Sequence, residues 1–181
     1  ISNGKFRQIM ISITDEEIEG LKDFIKHPYQ MEMDDIELIY EYHMKKFGET
    51  SIPPEAFIKA IEYGQSQNML IKGIDIPSGT YEDLFVEKVS IFDLIFLSLK
   101  KKKLIKRKWD MSSPENFSIE WDKYVNKGRY RKMEEEREKY MASSIAENLN
   151  EDTIVILDIE RFNGVISSLR TLLPEYRFQK S

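Results

Sequence analysis

The chain has 181 residues, of which 41% are hydrophobic and 33% charged. That is enough apolar content to build a core, and too much for a wholly disordered chain. With no cysteine and two histidines, it has no disulfides, thiolate nucleophiles, Cys-ligated zinc, iron–sulfur clusters or three-histidine metal sites. Net charge is -5, unevenly spread. Residues 1–90 carry 9 basic and 17 acidic side chains, whereas residues 91–110 carry 7 basic and 2 acidic. An acidic first half repels phosphate backbones, and a basic island can attract them or an acidic protein.

No stretch reaches the ~18 apolar residues of a membrane span. The longest run, Ile91–Leu99, is interrupted by Asp93 and Ser98 and suits a buried helix. The start, Ile1–Lys5, has no apolar signal core. The expectation is an intracellular chain, cytoplasmic or nuclear, with no membrane partner.

In chain order, residues 5–13 alternate loosely as a strand. Thr14 followed by Asp15, Glu16 and Glu17 is a helix start, with a hydroxyl cap and carboxylates at the positive dipole end. Ile18, Leu21, Phe24 and Ile25 keep the helical spacing until His27-Pro28. Asp34 or Asp35 caps a second helix, whose apolar positions are Ile36, Ile39, Tyr40, His43 and Phe47, and Gly48 stops it. A third helix opens at residues 51–55, with Phe57, Ile58 and Ile61 on one face. Residues 69–76 read as a strand, Pro77-Ser78-Gly79 as a turn, and residues 80–89 as the returning strand.

Three helices followed by a two-stranded hairpin resemble a winged-helix domain in the order of their elements, over residues 14–89. The resemblance implies that the hairpin closes the open side of three packed helices.

Ser90 and Asp93 form a capping-box pair ahead of a helix over 91–103, expected to be buried on most sides, with a strand over 104–109. Ser113-Pro114 starts another helix, with Phe117, Trp121, Tyr124 and Val125 on its face. Residues 129–149 form the most charged helix, with Glu134, Glu135, Glu136, Arg137 and Glu138 expected on its solvated side. A β-branched strand over 153–157, a helix over 162–173 and a closing strand over 176–179 follow. The expected fold is α+β and helix-dominated. Its winged-helix-like region is 1–110; a helical and strand–helix–strand region, 111–181, packs on it as one unit.

Among chemical candidates, the basic island is the most distinctive. Lys100, Lys101, Lys102, Lys103, Lys106, Arg107 and Lys108 can neutralise phosphates or meet an acidic partner, and Trp109 can stack on a base. The same lysines offset a helix C-terminal dipole and keep an apolar segment soluble. Asp158 and Glu160, two apart at a strand end, share a face as metal-binding pairs do, while Asp158 alone reads as a cap for the next helix. His43 sits on an apolar helix face and reads as a core residue. No phosphate loop, dinucleotide fingerprint or nucleophile elbow is present.

With no catalytic constellation, no cofactor and no metal site expected, the leading function is protein–protein binding by a non-enzymatic, regulatory chain through a two-signed charged surface. The alternatives are a nucleic-acid-binding regulator using residues 100–108 and a metal-dependent hydrolase around Asp158 and Glu160.

Overall fold

The structure, a computed structural model, describes residues 6–150 and 152–176. Among them the order is β1 (Gln8–Ile11), α1 (Asp15–Lys26), α2 (Asp35–Met44), α3 (Glu55–Ser66), β2 (Leu70–Gly73), α4 (Ser78–Lys88), α5 (Ile91–Lys106), α6 (Pro114–Val125), α7 (Arg129–Asn148), β3 (Thr153–Ile156) and α8 (Ile159–Leu172). Helix starts follow local chemistry. The Thr14 hydroxyl accepts from the Glu17 N–H, and the Glu17 carboxylate accepts from the Thr14 N–H, closing a capping box. Asp34 with Glu37 and Ser90 with Asp93 repeat it at α2 and α5.

The three strands form one parallel sheet in the order β2-β1-β3. Gln8 lies opposite Leu70 and Thr153, and Ile11 opposite Gly73 and Ile156. The central strand separates two layers by its period of two. Ile9 and Ile11 pack with Ile18 and Leu21 of α1 and Phe57 and Ile61 of α3. Met10 packs with Met141 and Ile145 of α7 and Val165 and Leu169 of α8. Both faces are thus covered, as a parallel sheet requires. Gly73 lets β2 meet the start of α1: a Cβ there would collide with backbone atoms of Ile13, Thr14 and Asp15.

A third cluster lies away from the sheet. Ile39 of α2, Leu104 of α5, Trp109, and Phe117 and Trp121 of α6 bury one another. The Leu104 carbonyl, in the last turn of α5, lacks a helical N–H partner. The Trp109 indole N–H donates to it (3.3 Å), as does His43 Nε2 (3.1 Å). That bond fixes the His43 tautomer and leaves Nδ1 buried without a partner.

The helix-dominated α+β character of the chain holds, but the winged-helix arrangement does not. The returning strand expected over residues 80–89 is instead the helix α4, which already begins at Ser78 in the expected turn, and β2 pairs in parallel with β1 instead of forming a hairpin. Tyr81 and Phe85, one turn apart on α4, have ring centroids 6.3 Å apart, and Phe85 reaches Tyr130 of α7 at the same distance. The helical spacing of these aromatics outweighs the short-range strand pattern. The expected strand over 104–109 is also absent, because α5 continues through Lys106. The closing strand expected over 176–179 falls largely outside the described residues.

Candidate functional site

The carboxyl ends of the three parallel strands converge, and each is followed by a polar side chain: Ser12 after β1, Asp75 after β2, Asp158 after β3. Open α/β sheets place ligand sites at this edge. The Ser12 hydroxyl donates to Asp158 Oδ2 (3.0 Å) and accepts from the Asp158 N–H (3.1 Å). Asp158 stands at the N-cap position of α8, yet its side chain makes no capping bond. Asp75 is paired with the Arg137 guanidinium, whose Nε donates at 3.1 Å. Arg137 also reaches Glu134 (3.4 Å), and Glu134 pairs in turn with Arg161. One turn along α7, Glu138 takes a two-pronged bond from Arg131 at 3.0 and 3.2 Å.

Glu134 and Glu138 are each only 4% exposed. The expectation that this stretch of α7 faces solvent holds for Glu135 and Glu136, which are exposed, and fails for Glu134 and Glu138. Packing of α7 on α8 puts these acids inside, and the arginines supply the counter-charge that a buried carboxylate requires.

Burial raises the Asp158 pKa to about 6; the Ser12 bond opposes that rise, and the neighbouring Glu160 charge adds to it. Burial, followed by the Glu160 charge, raises the Tyr40 phenol to about 12. Tyr40 lies 2.6 Å from the Ser118 hydroxyl and donates to Glu160 at 3.3 Å. The two acids after β3 thus serve different partners, Asp158 bonding Ser12 and Glu160 bonding Tyr40. Among the described residues no group of three or more His, Asp or Glu side chains has the geometry to hold a metal ion. The arrangement keeps a proton on Asp158 up to about pH 6.

Clefts open beside this centre. One, of about 470 Å³, has the charged side chains of Asp122, Lys127, Arg131, Glu138 and Glu160 in its lining. Another, of about 700 Å³, is largely apolar, with Ile36, Tyr40, Met44, Ile52 and Trp121 in its walls.

The basic island occupies the second half of α5 and the loop beyond it. Lys101 pairs with Asp35 (2.6 Å), and Lys100 lies 6.0 Å from the Tyr124 ring. Arg107 pairs with Glu120 (2.8 Å) and lies over the Tyr124 and Trp109 rings at 4.3 and 4.9 Å. Lys102, Lys103, Lys106 and Lys108 are exposed. Trp109 is buried in the α2–α5–α6 cluster, its ring 5.1 Å from Trp121, so it is not offered to a base.

The first half of α5 corrects a further expectation. This segment, expected to be buried, is exposed: Ile91 73%, Phe92 72%, Ile95 50%, Phe96 62%, Leu99 69%. These positions, spaced i, i+1, i+4, i+5 and i+8, form one outward stripe. Lys102, Lys103 and Lys106 continue it. The inward stripe passes through Leu97 to Leu104, and of these only Leu104 is fully covered.

Comparison with known proteins yields no match to this chain among family models, curated proteins or solved structures. No helix among the described residues is long and apolar enough to cross a membrane.

Proposed function

We propose that the chain is a non-enzymatic binding protein, cytoplasmic by expectation, that acts by protein–protein contact through the outward face of α5. One observation carries this reading: six large apolar side chains between Ile91 and Leu99, Leu94 among them, stand exposed, and the stripe they include runs directly into a lysine face. Ordinary folded chains leave apolar residues exposed singly, and contiguous patches mark contact surfaces. The apolar stripe supplies the buried centre of an interface, and the lysines supply a charged rim that steers an acidic surface towards it. The charged centre at the strand ends supports the fold in this reading, since its arginines are occupied by Asp75, Glu134 and Glu138.

The test is affinity for the captured partner. Phe96→Asp is expected to weaken binding at least ~10-fold, as a central anchor does, with an unchanged circular dichroism spectrum. Replacing Lys100–Lys103 by Gln is expected to lower the association rate and its salt dependence. A partner bound equally by wild type and Phe96→Asp would end this reading.

Nucleic-acid binding is the second reading, favoured by the exposed Lys102, Lys103, Lys106 and Lys108. It requires affinity for generic DNA or RNA that falls steeply with salt. No binding at low salt excludes it.

A further inference from the structure

We infer that the α5 face is occupied by a second copy of this chain, the two α5 helices packing antiparallel about a two-fold axis near Ile95. The inference rests on α5 being the contact surface, and names what covers it.

Self-complementarity is the first argument. A two-fold interface uses the same patch on both subunits, so a residue on one side of the axis meets a residue equally far on the other. The apolar stripe Ile91, Phe92, Ile95, Phe96 and Leu99 is centred on Ile95. Each copy's Phe92 then lies towards the other's Leu99, and the stripe covers itself.

Charge is the second. The lysine run follows the stripe at its C-terminal end, and acids precede it: Glu82, Asp83 and Glu87 lie on α4, which runs into α5 through Val89 and Ser90. Glu82, Asp83 and Glu87 are exposed, Glu87 bonding Lys88 at 2.9 Å. Antiparallel pairing carries Lys102 and Lys103 of each copy, the exposed members of the run, towards the end of its partner's α5 that α4 leads into. It also separates the two lysine runs. Lys102 is seven residues from the axis, so at ~1.5 Å per residue the two runs lie about 20 Å apart, roughly two Debye lengths or more at physiological salt. Parallel pairing would stack the lysines on each other. An acidic partner would neutralise the lysines as well; a second copy also brings an apolar stripe of the same length.

The experiment measures the mass of the full chain by sedimentation equilibrium across a concentration series, with cross-linking of a single introduced cysteine. Because the chain has no cysteine of its own, Ile95→Cys reports only on this contact. Expected are a monomer–dimer equilibrium and rapid disulfide linkage of Ile95→Cys under mild oxidation. A cysteine at exposed Ser66 is expected to link far more slowly. Phe92→Glu with Phe96→Glu should give a folded monomer by circular dichroism. Exchanging Lys102 and Lys103 for Glu should weaken the dimer, and adding Glu82→Lys, Asp83→Lys and Glu87→Lys should restore it. A chain monomeric at every concentration overturns the inference, as does a dimer that the Phe92/Phe96 pair leaves intact. A monomer whose α5 variants lose a different protein partner overturns the second copy while leaving the contact surface in place. A monomer that co-floats with phosphatidylserine vesicles through α5 overturns both.

Discussion

Asp158→Asn isolates the electrostatic cost of the strand-end centre. Asp158 has its pKa raised from 3.8 to about 6, chiefly by burial. The folded state therefore holds the proton more tightly than the unfolded chain does. Between about pH 4 and 6 the folded form carries the extra proton, and raising the pH removes it, so this group lowers stability as pH rises through that window. At about 1.4 kcal/mol per pH unit, the full cost above pH ~7 is about 3 kcal/mol. Asparagine is never ionised, and its carbonyl oxygen can still accept from the Ser12 hydroxyl, 3.0 Å away in the native pair. Urea unfolding of wild type and variant should be compared at several pH values. The difference cancels every titration the two share. It is expected to rise from near zero at about pH 4 to a plateau near 3 kcal/mol in favour of the variant above pH ~7. A flat difference, or one that falls with pH, would refute the reasoning that Asp158 ionises at a cost.

Other consequences follow from burial and packing. Gly164→Ala drives a Cβ into the Glu138 carboxylate; displacing that acid from Arg131 should cost about 3 kcal/mol, read as a lower urea midpoint. Phe117→Ala removes a fully buried ring that touches Tyr40, His43, Trp109 and Trp121, and a loss of about 3–5 kcal/mol is expected in the same assay. Burial holds the His43 pKa below its ordinary 6.5. Its contribution to stability is complete above about pH 6.5 and lost as pH falls below it. A ring-proton NMR titration should find a midpoint under 6.5, and a midpoint above it would contradict the packing described.

Much of the secondary structure was legible because its causes are local. Thr14, Asp34 and Ser90 meet their capping partners within three residues, so helix starts can be read directly from neighbouring residue types. The β-branched run at 153–156 reads as a strand for the same reason. His43 on an apolar helix face was legible as a core residue, and it is buried. The strand-end centre was half legible. Asp158 and Glu160 stood out by their spacing, but Ser12, which bonds Asp158 across 146 residues, did not.

The amino-acid order alone determined where most helices begin, that a strand can form within residues 5–13, and that a lysine run follows an apolar one. Only tertiary structure decided that β2 pairs with β1 in parallel rather than with its own downstream neighbour. It also decided that Glu134 and Glu138 are buried against arginines, and that the apolar half of α5 is left outside. Periodicity reports which residues share a face. Which faces are covered depends on elements distant in sequence, because burial is set by the pieces that arrive from elsewhere in the chain.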